Sequence, residues 1–379
     1  RVHGEFFSYT IERAMRFALR LPRTERSRYS RTYSDTAPST LPTDRGFDHA
    51  ADRDRHLKPL LTIKNLIKPN PSKSLPLSTI TQNKPSFRVP IRTVEFIRKF
   101  PSVFEEFLES PSSFHPHFKL TSQTLEIDQD EDLLYNSENY QHDVANRLVK
   151  LLMISRKHRI HIPLLNSLKF DLGLPYDFST SIIPRFPDYF RVVDDKRLEL
   201  VCWNEDLAVS QLQKSESLYS KGMSISFPMQ FPKDVEVGKR VKKVIAEWQK
   251  MEYISPYENA VHLNGHSDVS DKWVTGIIHE VLNLFAGKKT EKGNLMRLGD
   301  HLGIRPRIKR SLLYHPEIFY ISNKSSVLLK DAYKRGALIE NNPLVEIRGR
   351  YIHLMNKSVK RKKPISQSSK KPRQPPQVL

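Results

Sequence analysis

In this 379-residue chain a histidine followed by a glutamate, His279-Glu280, resembles part of a known metal-binding motif. The pair begins the motif of a zinc-protease helix, in which a second histidine stands four residues after the first and shares its face. Asn283 occupies that position, so the motif lacks one of its two histidine ligands. The pattern therefore does not support a zinc site of this kind.

Three further observations limit the chemistry. His262, His266 and Asp268 fall in a predicted loop without cysteines or helical i, i+4 pairing, which favours a solvated polar loop over a metal site. The 13 glycines form no phosphate-binding loop. The single cysteine, Cys202, excludes an intramolecular disulfide and a cysteine-based zinc cluster, and its apolar setting beside Trp203 predicts a buried thiol. We therefore predict a protein that is not an enzyme and has no cofactor.

The charge balance indicates what the chain binds instead. It has 62 Lys and Arg against 42 Asp and Glu, a formal net charge of +20, and an isoelectric point near 9.8. Such an excess favours a polyanionic partner, with nucleic acid first and an anionic membrane or an acidic protein second. No apolar run approaches the roughly 18 residues of a membrane-spanning helix, so we expect no membrane span.

The cations that could contact RNA phosphates form four groups. The first lies within and just after a predicted helix at residues 144–155, and the cations at the C-terminal end of that helix also complement the helix dipole. The second lies outside the apolar stripe of a predicted helix at residues 239–254. The alternative to RNA contact is that this basic face of the helix is only exposed to solvent. The third lies between two helix patterns, and the fourth lies in the C-terminal tail. The candidate RNA-binding residues are Arg147, Lys150, Arg156, Lys157 and Arg159; Lys239, Arg240, Lys242, Lys243 and Lys250; Arg305, Arg307, Lys309 and Arg310; and Lys360, Arg361, Lys362 and Lys363.

A pattern at residues 164–203 indicates the elements that position these cations. An apolar helix pattern ends at Leu172-Gly173, where glycine fits a helix C-cap. A short second helix pattern ends at Pro187, and a strand begins at Phe190 and turns back at residues 194–196. The order of helix, glycine, helix, proline and β-hairpin predicts a winged-helix-like module.

The same order recurs at residues 298–329. Leu302-Gly303 takes the place of the glycine stop, and Pro316-x-x-Phe319 takes the place of the joint before the hairpin. A shorter echo lies at Pro101-x-x-Phe104. This recurrence favours an internal repeat over similar joints within one domain. The predicted fold class is α+β: helix-rich, winged-helix-like modules, each closed by a β-hairpin after the proline of its joint.

Four smaller expectations concern burial. Trp248 lies on the apolar stripe of its helix and is predicted to be in the core, and residues 273–285 form another core helix. The locally acidic stretch at residues 120–139 indicates a solvated helix face or loop. The aromatics at the hairpin starts, Phe190, Phe319 and Tyr320, are interpreted as core anchors rather than as platforms for base stacking.

Several phrases together resemble the plant organelle RNA recognition domain family. They include FPSVFEEF, RLVKLLMISRKHRI, DLGLPYDFSTSIIPRFPDYF, LELVCWNEDLAVS, EWQKMEYISPYE, IIHEVLNLF and HPEIFYIS, and the resemblance runs from about Asp54 to Met355. It implies a land-plant source, organellar import, and RNA binding in group II intron splicing, without catalysis by the protein. It carries over no defined set of binding residues.

The chain is then divided into three regions. Residues 1–52 are predicted to be an organellar transit peptide and a flexible joint, because an Arg-rich, acid-poor stretch follows Met15, a candidate initiator; a basic tail of a nuclear or cytosolic protein is the alternative. We expect removal up to about Tyr33. Residues 53–345 would form the RNA recognition domain. Residues 346–379 are predicted to be a disordered basic tail, since no acid follows Glu346.

The predicted function is to promote group II intron splicing by binding and folding intron RNA. We expect a mitochondrial location, with the chloroplast as the alternative, and other splicing factors as partners in a ribonucleoprotein. A structural or assembly protein of the organellar ribosome is the alternative function. A nuclease is third, and the lack of a carboxylate–metal constellation argues against it.

Overall fold

The computed structural model describes residues 43–83, 91–109, 115–216, 219–231, 239–260, 262–265 and 267–361. Within these residues it is a mixed helix and strand protein whose small sheets are antiparallel. The α+β class is therefore confirmed. No helix in this part of the chain is long and apolar enough to cross a membrane.

The first described element is a short helix, α1 (Arg45–Asp52). The carboxylate of Asp44 caps it by accepting from the backbone N–H groups of Gly46 at 2.7 Å and Phe47 at 3.1 Å. Ala50 and Ala51 are buried, in contact with a sheet far along the sequence. The predicted flexible joint is therefore wrong for this segment, while the predicted transit peptide lies outside the described residues.

The first three-stranded unit follows. Leu57, Leu60 and Ile63 recur three residues apart, so they share one face of its first helix and are fully buried. The strand order places the last strand between the other two. The elements are α2 (Leu57–Ile67), β1 (Ser74–Pro76), α3 (Leu77–Gln82), α4 (Thr93–Arg98), β2 (Phe104–Leu108) and β3 (Pro116–Leu120).

The second unit is reached through a long helix, α5 (Ser122–Asn136). Gly173 ends one of its helices with a φ of 70°, the left-handed conformation that glycine adopts without strain. Its last strand again lies between the other two. The elements are α6 (Glu138–Ile154), β4 (Arg159–His161), α7 (Ile162–Leu172), α8 (Phe178–Ser181), a 3₁₀ turn (Ile183–Arg185), β5 (Phe190–Val193) and β6 (Arg197–Leu200).

The third unit has its elements in the same order, and its last strand also lies between the other two. Gly303 ends the helix before the recurring turn with a φ of 72°, as the sequence predicted for both glycines. Two short helices precede the unit: α9 (Gln211–Ser215) and α10 (Lys239–Gln249). Its elements are α11 (Asp268–Leu284), β7 (Lys289–Glu291), α12 (Lys292–Leu302), α13 (Arg305–Tyr314), β8 (Phe319–Ile321) and β9 (Ser326–Leu329).

Each predicted Pro-x-x-Phe joint leads into an antiparallel hairpin. Phe104, Phe190 and Phe319 begin β2, β5 and β8, and each pairs with the strand that follows. Phe190, Phe319 and Tyr320 are all buried, which confirms their interpretation as core anchors. The chain continues through a 3₁₀ turn (Lys330–Ala332), a two-stranded ribbon of β10 (Tyr333–Lys334) and β11 (Ala337–Leu338), and a closing helix, α14 (Pro343–Arg361).

One core is shared by the second and third units, and a second core joins the first unit to α14. Trp248 is fully buried in the shared core, as predicted, with its ring 5.4 Å from Phe227 and 4.5 Å from His315. The predicted helix at residues 273–285 is part of α11, where Ile277, Val281 and their neighbours are buried. The units are therefore held together by common packing.

A buried ion-pair network ties α14 to the first unit. Lys64 Nζ on α2 lies 2.5 Å from Asp128 Oδ1 and 2.6 Å from Glu131 Oε2, both on α5. Tyr351 on α14 donates to the same Glu131 oxygen at 3.1 Å. The acidic stretch is thus not simply a solvated face, because two of its carboxylates are buried counter-ions of a lysine.

The position of α14 also corrects the predicted tail. Tyr351, Leu354 and Met355 are buried against the first unit, so residues 346–361 form a packed helix rather than a disordered segment. The pattern of apolar residues three to four apart in this basic stretch was the missed signal. Residues 362–379 lie outside the described part of the chain.

The prediction of a buried thiol at Cys202 is wrong. β6 ends at Leu200, and Cys202 lies exposed in the bend that follows. Trp203 beside it is only half-buried, with its ring 5.6 Å from that of His158. The apolar run around the cysteine therefore extends beyond the strand that the sequence pattern indicated.

Candidate nucleic-acid interface

The first two candidate cations are buried. Arg147 on α6 donates to the backbone oxygen of Leu172 and lies 2.5 Å from the carboxylate of Asp143. Lys150 Nζ lies 2.8 Å from Glu280 and donates to the Val209 backbone oxygen at 3.0 Å. Both residues are at least nine-tenths buried, so they stabilise the fold and are not available to RNA.

The histidine–glutamate pair of α11 has a packing role. Glu280 accepts from Tyr257 at 2.7 Å and from the Gln211 N–H at 2.7 Å, in addition to its contact with Lys150. His279 is buried beside Phe227, with the ring centroids 5.6 Å apart. Among the described residues, no three His, Cys, Asp or Glu side chains are placed to hold a metal ion together.

The structure brings two of the predicted cation groups together where the second and third units meet. The Arg156 N–H donates to the backbone oxygen of His301 at 3.0 Å, and the Arg156 side chain lies over Gly303. A Cβ atom on Gly303 would lie 3.1 Å from Cδ of Arg156. The rings of His161 and His301 are 5.2 Å apart. We call this surface the basic seam; it comprises Arg156, Lys157, Arg159, His161, His301, Arg305 and Lys309.

The seam residues have different degrees of exposure. Arg156, Lys157, Arg305 and Lys309 are exposed, and Arg159 is half-buried on β4. Arg305 lies one turn before Lys309, so the two share a face of α13. The Arg305 guanidinium contacts both carboxylate oxygens of Asp300 at 2.9 Å. This ion pair is exposed, so breaking it costs little free energy. The seam therefore presents four exposed cations from two units.

The remaining cations of α13 are partly committed to the fold. Arg307 donates to the Ser270 hydroxyl at 2.6 Å, and its guanidinium lies 5.6 Å from the centroid of the Trp273 ring. Burial and the neighbouring Arg310 lower the pKa of Arg307. Arg310 is half-buried, with its guanidinium 5.4 Å from the Tyr314 ring. Replacing these two arginines would disturb packing as well as charge.

The predicted set of RNA-binding residues did not include the two histidines of the seam. Burial and the neighbouring His161 lower the pKa of His301, which favours the neutral form of its ring. His161 ends β4 and His301 lies near the end of α12, so only the packing of the second unit on the third brings them together. The matching helix ends at Gly173 and Gly303 were the one sequence signal that related the positions of His161 and His301.

The lysines of α10 lie on a helix that contributes no residue to the seam. Trp248 anchors this helix in the core, and Lys272 donates to the backbone oxygen of Gln249 at 2.8 Å. Lys239, Lys242, Lys243 and Lys250 are exposed. None of the described contacts of α10 joins these lysines to the seam. The side chains of Arg240, Lys360 and Arg361, and residues Lys362 and Lys363, lie outside the described part of the structure.

Comparison with known proteins relates this arrangement to one family. A family model described as the plant organelle RNA recognition domain matches residues 43–360, most of the chain. Protein WHAT'S THIS FACTOR 9, mitochondrial, of Arabidopsis thaliana is 32% identical over 322 residues, which cover 81% of each chain.

Two chloroplast relatives also match. Protein WHAT'S THIS FACTOR 1 homolog, chloroplastic, of Arabidopsis thaliana is 31% identical over 80% of this chain and 60% of its own. Protein WHAT'S THIS FACTOR 1, chloroplastic, of Zea mays is 33% identical over 79% of this chain and 63% of its own. The chain thus spans less than two thirds of these two relatives. No solved structure matches this chain.

Proposed function

The chain belongs to the plant organelle RNA recognition domain family, and from this membership we infer that it binds RNA in a plant organelle and promotes group II intron splicing. The single observation that carries the inference is the family match over residues 43–360. The basic seam supports it physically, because exposed arginine and lysine side chains from two packed units can neutralise neighbouring phosphates.

A folded intron is a dense polyanion that must reach one compact state. A protein with several rigid cationic surfaces lowers the repulsion between its phosphates and holds looped or single-stranded elements in register. It need supply no nucleophile, general base or metal for this task. We accordingly propose that the RNA performs the chemistry and that other splicing factors join the complex.

We also propose that the three units are winged-helix-like modules of one internal repeat. In each, a helix, a strand, two helices and a hairpin follow in this order, and the last strand lies between the other two. In such modules the second of the two helices is the recognition element. In the third unit that helix is α13, which supplies Arg305 and Lys309 to the seam.

The proposed location is the mitochondrion, with the chloroplast as the alternative. Of the three relatives described above, one is mitochondrial by name and two are chloroplastic. A fluorescent fusion of residues 1–60 tests the location, because the Arg-rich stretch after Met15 would direct import. Cytosolic fluorescence would contradict import by this segment.

The proposed RNA-binding set is the exposed and half-buried members of the predicted cation groups. The seam cations are the core of this set, and the lysines of α10 and the basic residues after 357 would add to it. If the five seam cations meet single-stranded phosphates, log affinity should fall with log salt at a slope near −3.5, from roughly −0.7 per contact. The seam cations are Arg156, Lys157, Arg159, Arg305 and Lys309.

Filter binding of a group II intron fragment at several salt concentrations tests this proposal. Replacing the four exposed seam cations by glutamine should flatten the slope by about 3 units. The melting temperature should stay close to that of wild type, because exposed cations contribute little to folding. The matched control replaces four exposed cations elsewhere by glutamine and should keep the slope. The control positions are Arg98, Lys214, Lys221 and Lys334.

An unchanged slope in the seam variant would remove the seam from the interface. Immunoprecipitation from mitochondria, followed by sequencing of the bound RNA, tests the splicing role itself. Enrichment of intron-containing precursors is expected. Enrichment of ribosomal RNA and sedimentation with ribosomal particles would instead support the ribosomal alternative, which the names of the relatives do not favour.

A further inference from the structure

A cleft of about 1220 Å³ runs between α2 and α7. One wall is formed by α2 and the residues just before it, and the other by α7 and the turn that follows it. Pro163 at the start of α7 lines the cleft and stands two residues after His161 of the basic seam. The cleft and the seam are therefore adjacent along the chain, because His161 immediately precedes α7.

Most acids that line the cleft already have a cationic partner. Asp54 lies 3.1 Å from Lys289, and Asp132 lies 2.5 Å from Lys68. Asp52 pairs with Lys324. These pairs neutralise both partners, so the charge left in the lining comes from the cations that lack a carboxylate and from two acids outside these ion pairs, Asp171 and Asp177.

Arg348 on α14 is the most deeply placed of these cations. It is 5% exposed, and its guanidinium lies 3.8 Å from the Phe170 ring centroid. Its Nη2 donates to the Phe170 backbone oxygen at 2.8 Å. Among the described residues its Nε has no hydrogen-bond partner, and no carboxylate lies within 4 Å of it. A buried cation without a counter-ion is costly, and an anion in the cleft would remove that cost.

Gln141 supplies a complementary group. It is 6% exposed and lines the same cleft. Its Nε2 donates to the Tyr135 backbone oxygen at 2.9 Å, but its Oε1 is buried and has no partner among the described residues. A buried acceptor of this kind normally has a donor, such as a hydroxyl or an amino group. The cleft thus combines an unpaired acceptor with an unpaired cation.

An exposed aromatic ring stands at the edge of the cleft. Tyr176 is 54% exposed and lines the cleft just after α7. Lys169 Nζ lies 3.6 Å from its ring centroid, so the cation holds one face of the ring by a cation–π contact. A ring fixed in this way, with more than half of its surface in solvent, can accept a base on its free face.

We propose that this cleft binds an unpaired nucleotide segment of the RNA, with a phosphate at Arg348 and a base stacked on Tyr176. The Gln141 acceptor takes a hydrogen bond from a ribose 2′-hydroxyl or a base amino group of the same segment. The strand continues over Pro163 to the basic seam. This inference rests on the proposed RNA-binding function and adds to it a site with a stated ligand.

The test uses the full chain and a 12-nucleotide oligouridine RNA that carries one central 2-aminopurine. Binding to wild type should quench the fluorescence, because the base stacks on the tyrosine. Tyr176→Ala should lose the quench and weaken binding about 10-fold at every salt concentration, with an unchanged salt slope. Phe231→Ala, which removes a ring that is 43% exposed and outside the cleft lining, is the matched control and should behave as wild type.

A second variant tests the phosphate contact. Arg348→Gln should flatten the salt slope by about 0.7, the value for one single-strand phosphate. Its melting is measured in parallel, and Arg98→Gln, outside the cleft, is the control. Should Arg348→Gln fail to fold, Tyr176→Ala alone decides the matter, since Tyr176 is exposed and its loss leaves the core intact.

The outcomes separate this inference from the proposed function. If wild type does not bind the RNA, RNA binding itself fails. If wild type binds with the slope expected for the seam, while Tyr176→Ala keeps both affinity and quench, the cleft inference alone is overturned. Reversal of the quench by uridine monophosphate at the concentration of the oligomer would also overturn it, since the cleft would then hold a free nucleotide.

Discussion

The buried imidazole of His315 gives a direct pH test of the packing between the α11, α13 and α10 helices. Its Nε2 lies 2.7 Å from Asp271 Oδ2, and its Nδ1 lies 3.2 Å from Glu317 Oε1. Burial alone would lower the pKa of His315, but the two carboxylates raise it to about 9. The ring is therefore a cation at neutral pH, although it is fully buried beside Trp248.

The size of the effect follows from linkage. An unfolded histidine has a pKa near 6.5, so the folded value of about 9 corresponds to about 3 kcal/mol, at 1.36 kcal/mol per pKa unit. Because the folded pKa is the higher one, this stabilisation is fully present below about pH 6.5. It is lost as the pH rises from 6.5 to about 9, where the folded protein also releases the proton.

Urea unfolding of wild type and His315→Gln at about pH 6 and pH 9.5 measures this contribution. The quantity of interest is the difference in the free energy of unfolding between wild type and the variant, since other groups titrate in both proteins. It should be about 3 kcal/mol larger at the lower pH. His142→Gln, which removes an imidazole that is 58% exposed, is the control for losing a surface ring. A difference that stays constant between the two pH values would refute the charged, buried imidazole.

Two further predictions concern buried groups. Lys64→Met should lower the free energy of unfolding by about 3–5 kcal/mol, because two buried carboxylates of α5 lose their counter-ion. Arg350→Met removes an exposed partner of Asp130, which lies on the same helix α5, and should cost less than about 1 kcal/mol. Equal urea midpoints for the two variants would contradict the burial of the network. Trp248→Ala should cost about 3–5 kcal/mol by leaving a cavity in the shared core, and an unchanged melting temperature would show that the ring is not packed there.

The local features of the fold could be predicted from the sequence because short-range rules decide them. Gly173 and Gly303 have positive φ values, where other residues are strained, so both helix ends were visible in the sequence. The Pro-x-x-Phe joints precede hairpins for a similar reason, since proline ends a helix and an aromatic residue favours a strand. These rules need only a few neighbouring residues.

The buried charges could not be predicted in this way because their partners are far apart in the sequence. Lys64 pairs with a carboxylate 64 residues away, and Lys150 pairs with Glu280 on a helix of another unit. On a helical wheel such residues look like solvated charges. Composition therefore predicted a cationic protein with a polyanionic partner, but it could not distinguish cations that build the interior from cations that remain exposed.

The candidate interface depends on this long-range packing in the same way. Arg156 follows α6 and Arg305 begins α13, and neither residue alone marks a site. Arg156 lies over Gly303, two residues before Arg305, because Gly303 has no side chain where the second unit rests on the third, and a Cβ atom there would crowd Arg156. A glycine that the local pattern identifies as a helix stop thus also permits the contact between units. The cationic surface is consequently a property of the assembled units, and a single unit would carry only part of it.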